Sequence, residues 1–189
     1  IEFPKEKTWQ QYVDSRRLEI TCGEAPYLVS RYDVSTGELI VPPLRRMGIL
    51  DRKLRIVNEN TDTYEEWLKW AVRAFEASYG YEYQGDNVLI ARINLLLTFT
   101  DYYEERWERH PDDKLLQQMA NKIAWNIWQM DGLKDTVPLG KPYEEFRQIT
   151  LFDMFGDTQD DEDEPEDVPC RIYNWRSKTS MKFMDLKEI

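Results

Sequence analysis

Cysteine and histidine, the residues most used in zinc sites and in nucleophilic catalysis, are scarce in this sequence. There are two cysteines, Cys22 and Cys170, and one histidine, His110. Neither cysteine has a second ligand at metal-binding spacing, and His110 stands in the polar stretch ERHPDDK, which is typical of an exposed turn. The sequence therefore argues against a zinc site and against a Ser-His or Cys-His catalytic pair. So few cysteines also favour a reduced compartment, and we expect a cytoplasmic protein.

Long apolar runs are absent as well, since no stretch approaches the roughly 20 apolar residues that span a bilayer. No secretory signal follows Ile1, because a basic region and an apolar run are both missing, and we interpret the start as a cut within a longer protein. What is present is enough for one core, because 41% of the 189 residues are hydrophobic and 13% are aromatic. We therefore expect one soluble domain with no membrane partner.

Positive charge is the minority, with 25 Lys and Arg against 36 Asp and Glu and a net charge of −11. Residues 160–167, DDEDEPED, hold seven of the acids, and leaving them out changes the net charge to −4. We interpret residues 159–169 as a solvated, flexible acidic loop, with an acidic lure for a basic partner as the alternative. Basic clusters remain at residues 16–17, 45–46, 52–55 and 171–182. Whether they contact phosphate is left open by the sequence.

Hydrophobic periodicity predicts the order strand, helix, strand, helix, helix, strand. RLEITC, residues 17–22, is typical of a strand, and the next helix is expected from a capping box at Thr63 to a stop at Gly80. Residues 87–107 predict a long helix that is buried at its front, and residues 126–130, NIWQM, predict a strand. This alternation indicates an open α/β sheet with parallel strands, in which ligands bind beyond the carboxyl ends of the strands.

Tryptophans at helical spacing give a further prediction. Trp67, Trp70, Trp125 and Trp128 are expected in the core rather than on the surface as platforms for stacking bases.

Each of three predicted strand ends carries a residue suited to nucleoside recognition. At Cys22-Gly23 the glycine lets backbone approach a ligand, and a helix starting near Pro26 would offer free N–H groups. Glu82 is suited to accept from both hydroxyls of a ribose, and Asp131 is suited to accept from an adenine amino group. Taken singly, these features are more often a plain turn, a surface acid and an ordinary Asp-Gly turn. Their order along the chain favours the nucleoside interpretation.

The same three stretches resemble the motifs of a known family. LEITCGEAPYL, GYEYQGDNVLIARINLLL and NIWQMDGLKD are similar to the first, second and third cofactor motifs of the adenine-N6 DNA methyltransferases of bacterial restriction–modification systems, which use S-adenosylmethionine. The resemblance covers most of residues 10–138. The whole chain is similar to the stretch upstream of the catalytic motif in restriction endonuclease M subunits.

The resemblance implies a partial Rossmann-like methyltransferase sheet with flanking helices and a long helical insertion at residues 33–79. Residues 1–158 would be the portion that binds S-adenosylmethionine, and DNA and restriction or specificity subunits would be partners of the parent protein. The implied cofactor-binding residues are Glu19 on the first strand, Cys22, Gly23 and Glu24 around the methionine moiety, Glu82 at the ribose and Asp131 at the adenine.

Two departures from the family's pattern limit what the resemblance implies. Ala25 stands where the family has a second glycine. The [Asn/Asp]-Pro-Pro-aromatic motif that receives the target adenine is missing, because VPPL at residues 41–44 has neither the polar acceptor nor the ring. We expect that motif beyond Ile189, with residues 170–189 as an extended segment leading toward it. The alternative is a non-catalytic methyltransferase-like α/β interaction module; a different nucleotide enzyme is disfavoured, because neither G-x-x-x-x-G-K nor G-x-G-x-x-G occurs.

Overall fold

The computed structural model describes residues 8–138 and 167–186, so the predicted acidic loop lies outside the described residues apart from its last three positions. Helices α1 to α5 span Trp9–Val13, Ile49–Asn60, Tyr64–Glu76, Gly85–Trp107 and Asp113–Asn126. Strands β1 to β5 span Arg17–Glu19, Ser78–Glu82, Ile127–Gln129, Arg171–Asn174 and Thr179–Lys182. Short 3-10 helices span Pro43–Arg45 and Met184–Leu186.

Strands β1, β2 and β3 form a parallel sheet in that order. Helices α2 and α3 connect β1 to β2, and α4 and α5 connect β2 to β3. The predicted α/β architecture with parallel strands is therefore confirmed, and so is the helical content of the long connection after β1. We call the edge where β1, β2 and β3 begin the amino end of the sheet, and the edge where they stop the carboxyl end.

The main core lies where the helices pack against one face of the sheet. Helix α3 illustrates how the sequence builds it, because Trp67, Ala71 and Ala74 recur on one side of the helix and are all buried. The predicted N-cap is confirmed, since the Thr63 hydroxyl accepts from the Glu66 amide at 3.3 Å.

The predicted helix stop at Gly80 is wrong. Helix α3 ends at Glu76, and Gly80 lies inside β2. A Cβ at this position would stand 3.1 Å from the Cys22 sulfur and 3.2 Å from Cδ1 of Ile127, which is tighter than side chains usually pack. Gly80 is therefore a glycine for close packing against residues distant in sequence.

The chain after β1 also differs from the prediction. The strand ends at Glu19 instead of residue 22, because Thr21 adopts a left-handed φ of 49° that extended strands do not have. No helix follows near Pro26. The chain makes turns there instead, and the Val29 amide donates to the Ala25 carbonyl at 2.9 Å.

The predicted extended segment at residues 170–189 contains the antiparallel hairpin β4–β5. The hairpin side of the sheet has its own small core. In it Phe183 packs against Tyr81 and Trp128, with ring centroids 5.9 and 5.7 Å apart.

Two predictions of burial need correction. Helix α4 is buried along Ala91, Leu95 and Phe99, but three apolar side chains on it, Leu89, Ile93 and Leu97, are between 41% and 58% exposed. Trp67 and Trp128 are in the core as expected, whereas Trp125 is 43% exposed. In the part of the chain that the structure describes, no helix has the length and apolarity needed to cross a membrane.

Candidate functional site

The loops that follow β1, β2 and β3 lie side by side at the carboxyl end of the sheet. Two backbone hydrogen bonds join them beyond the strands: the Cys22 amide donates to the Tyr81 carbonyl at 2.8 Å, and the Met130 amide donates to the Glu82 carbonyl at 3.0 Å. The three predicted strand ends are thus brought to one edge, as parallel strands require.

The first of these loops is shaped by left-handed residues at alternate positions. Thr21, Gly23 and Ala25 have φ values of 49°, 52° and 64°. A Cβ on Gly23 would have no atom within 4 Å, so glycine is favoured there by φ and not by lack of room. Ala25 is fully buried and keeps a backbone conformation in which glycine is usual, at a cost of about 1–2 kcal/mol. The missing second glycine has therefore not changed the sign of φ at this position.

The carboxylate of Glu82 connects the first and second loops. Oε2 accepts from the Gly23 amide at 2.9 Å, and Oε1 accepts from the Gln84 amide at 3.2 Å. Each carboxylate oxygen has about two acceptor positions, so these bonds leave one position on each oxygen for a donor from a ligand. The sequence prediction that Glu82 and Gly23 belong to one site has this direct contact in its support.

Glu19 and Cys22 lie beneath the loop. Glu19 accepts from the Leu28 amide at 3.1 Å, which holds the returning chain, and burial raises its pKa to about 7 against the lowering effect of backbone bonds from Leu28 and Tyr27. Cys22 is 2% exposed, and burial together with the negative charges of Glu19 and Glu82 raises the pKa of its thiol to about 12. The thiol is therefore protonated at neutral pH and is a poor nucleophile.

Glu24 and Asp131 contribute in different ways. The backbone carbonyl of Glu24 accepts from the Asn94 side-chain amide at 3.1 Å, which ties the first loop to α4, while the Glu24 side chain is exposed. Asp131 Oδ1 accepts from the amides of Leu133 and Lys134 at 2.9 and 3.2 Å, which closes its turn. The other carboxylate oxygen of Asp131, Oδ2, accepts neither of these two hydrogen bonds.

Large apolar side chains in the same loops were not anticipated from the sequence. Ile20, Tyr27, Tyr83 and Leu133 are exposed to 63%, 74%, 52% and 97%. The signal in the sequence was that Ile20 and Tyr83 directly follow strands and that Tyr27 and Leu133 lie in the loops after them. The carboxyl end of the sheet thus combines carboxylates with exposed apolar surface, the mixture that small-molecule sites use.

Two cavities of the described structure lie elsewhere. One of about 160 Å³ lies between β1 and the hairpin, and a wide groove of about 640 Å³ runs along α3. Neither is lined by Gly23, Glu82 or Asp131. The candidate site is therefore defined by the hydrogen bonds and side-chain chemistry of the loops at the open carboxyl end of the sheet.

No known protein family, curated protein or solved structure matches this chain. Within residues 8–138 and 167–186, no three His, Cys, Asp or Glu side chains are grouped as metal ligands. The class that fold and site define is a mixed α/β protein with a parallel sheet and acidic loops at its carboxyl end.

Proposed function

We propose that this chain is the cofactor-binding part of an S-adenosylmethionine-dependent adenine-N6 DNA methyltransferase of a restriction–modification system. The observation that carries the proposal is the pairing of Gly23 with Glu82, at 2.9 Å, beside Asp131 at the end of a three-stranded parallel sheet. The resemblance to the family's three cofactor motifs concerns the same residues.

The chemistry of the edge suits this cofactor. The acceptor positions left on Glu82 match the two hydroxyl donors of a ribose, and Oδ2 of Asp131 matches the adenine amino group. Glu24 and the neighbouring carboxylates favour the positive sulfonium and ammonium groups of S-adenosylmethionine. The exposed rings of Tyr27 and Tyr83 offer apolar surface for the purine.

Methyl transfer in this proposal depends on a segment that these residues do not include. The chain has no [Asn/Asp]-Pro-Pro-aromatic sequence to receive a flipped adenine. The parent protein supplies that motif, the contact with the target base and the contacts with restriction or specificity subunits.

A second function, a methyltransferase-like interaction module without cofactor affinity, is favoured by one observation. Both oxygens of Glu82 already accept a backbone amide, which is a sufficient structural use for a carboxylate.

Calorimetric titration with S-adenosylmethionine separates the two functions. The methyltransferase proposal expects saturable binding, which Glu82→Ala weakens by about 1.5–3 kcal/mol, the usual worth of a charged hydrogen bond. Glu105→Ala, an exposed acid on α4, is the matched control and should bind normally. The absence of heat at millimolar cofactor favours the interaction module.

A further inference from the structure

The β4–β5 hairpin is basic in a chain that is acidic overall. Residues 168–184 contain four basic residues and no acid, whereas the whole chain has a net charge of −11. The four, Arg171, Arg176, Lys178 and Lys182, are all exposed. Charge of one sign gathered on one element creates a local field that the net charge conceals.

The hairpin places these charges at both of its ends. Arg171 lies opposite Lys182 in the strand register, and Arg176 and Lys178 lie in the turn. Four residues per strand span about 14 Å. This length matches about four base-pair steps of DNA, which rises 3.4 Å per phosphate on each strand.

Two further arginines adjoin the hairpin from the start of β1. The Arg16 guanidinium donates to the Asn174 side chain at 3.0 Å. Arg17 lines the 160 Å³ cavity together with Ile172 and Met181 of the hairpin. We call the group Arg16, Arg17, Arg171, Arg176, Lys178 and Lys182 the hairpin surface.

Few carboxylates neutralise this surface. Arg176 pairs with Asp14, which also pairs with Arg73, and Asp185 follows on the chain. Arg171 donates to the hydroxyl and carbonyl of Ser180, which carry no charge. Among the described residues, no carboxylate forms an ion pair with the other four members of the hairpin surface.

The backbone of the hairpin is held against the sheet by several contacts. The Trp175 indole donates to the Asn126 side chain at 2.7 Å, and the Tyr79 hydroxyl donates to the Tyr173 carbonyl at 3.2 Å. The Tyr173 ring packs against Trp175 and the exposed Trp125 in tilted geometry, with ring centroids 4.5 and 5.4 Å away. A backbone that is already ordered loses little further entropy when the hairpin meets a regular array of anions.

We propose that the hairpin surface binds the phosphate backbone of duplex DNA. The choice of DNA among polyanions rests on the proposed function. The positive charge of the hairpin surface and the ordered backbone that carries it are independent of that function. Arg16, Arg17 and the hairpin turn lie at the amino end of the sheet, whereas Arg171 and Lys182 lie at the other end of the hairpin, next to Cys170 and Phe183. Contacts with phosphate position a duplex without reading its bases, so the hairpin surface holds the duplex independently of sequence.

The test is fluorescence anisotropy of a labelled 20-base-pair duplex of arbitrary sequence, titrated with the protein at several salt concentrations. Binding should weaken with salt, and Lys178→Gln with Lys182→Gln should reduce the slope of log affinity against log salt by about 1.8, or 0.9 per lost phosphate contact. Neither lysine has a hydrogen-bonding or charged partner in the described part of the chain, so the fold should survive. Lys69→Gln with Lys114→Gln, on α3 and α5, removes the same charge as a control.

Three results would overturn the proposal: no anisotropy change up to about 100 μM protein, the weak end of non-specific DNA binding; equal losses in both double variants; or tighter binding to polyglutamate or to an RNA duplex. Calorimetry with S-adenosylmethionine on the same samples separates the two proposals. Cofactor binding without DNA binding rejects only the hairpin surface, and DNA binding without cofactor binding rejects only the proposed function.

Discussion

The two ends of the parallel sheet are opposite in chemistry. The carboxyl end carries Glu19, Glu82 and Asp131 beside exposed apolar side chains, whereas the amino end carries Arg16, Arg17 and the basic turn of the hairpin with Arg176 and Lys178. The net charge of −11 describes neither end. Binding partners of this protein are therefore better inferred from the local charge at each end of the sheet than from the overall net charge.

Each end also holds one group whose pKa is moved to about 7, in opposite directions: Lys53, which is buried, and Glu19, which is half-buried. At the amino end, burial first and the charge of Arg17 second lower the pKa of Lys53 to about 7, while its ammonium donates to the Ser15 and Ala77 carbonyls at 2.7 and 2.9 Å. At the carboxyl end, burial raises the pKa of Glu19 to about 7. The comparison between the ends can therefore be tested through stability as well as through binding.

A large effect is expected at the left-handed loop of the carboxyl end. Ala25→Val should lower the free energy of unfolding by about 3 kcal/mol, because a β-branched side chain is strained at positive φ and overfills a fully buried position. Ala25→Gly should stay within about 1 kcal/mol of the parent, because relief of strain offsets the lost methyl group. Urea unfolding measures both, with Ala124→Val on the exposed side of α5 as control. If Ala25→Val and Ala124→Val lower the free energy of unfolding equally, the inference that the backbone is strained at Ala25 is wrong.

The next effect is a pH dependence with opposite slopes on the two sides of neutrality. Glu19 has a raised pKa in the folded state, so its contribution to stability is full below pH 4.5 and is lost as pH rises toward 7. Lys53 has a lowered pKa, so its contribution grows from pH 7 to 10.5. Urea unfolding across pH 4.5–10.5 should show Glu19→Gln flattening the acidic side and Lys53→Met flattening the alkaline side. If the free energy of unfolding of both variants depends on pH as in the parent, the assignment of the two slopes to Glu19 and Lys53 is wrong.

The smallest effect is expected where apolar surface is exposed at the carboxyl end. Leu133→Ser should change the free energy of unfolding by less than about 0.5 kcal/mol, because the side chain is 97% exposed. Met130→Ala, three residues earlier and fully buried, should cost about 2–5 kcal/mol. Thermal unfolding of both variants checks the contrast, and a costly Leu133→Ser would show that this loop packs in solution.

The sequence predicted those features that local chemistry determines. The cap at Thr63 and the helical face of Trp67 depend on neighbours within a few residues, and both were found. Gly80 was misinterpreted because its reason lies in Cys22 and Ile127, which only the fold brings near. The contact between Gly23 and Glu82 joins residues 59 positions apart, so no local pattern contains it.

The exposure of Trp125 was missed for a similar reason. Its spacing on α5 favours the core, but the buried side of that helix carries Leu115, Met119 and Ile123. Trp125 lies away from that side, where its neighbour is Tyr173 of the distant hairpin.

The central claim is that the three strand ends form one cofactor site. Two-dimensional ¹⁵N NMR during a titration with S-adenosylmethionine tests it directly, because Gly23, Gln84 and Leu133 place one amide on each loop next to Glu82 or Asp131. We expect saturable shifts of these three amides with a common dissociation constant, while the amides of Arg176 and Lys178 in the hairpin turn stay in place. Shifts confined to other regions, or no shifts at millimolar cofactor, would contradict it.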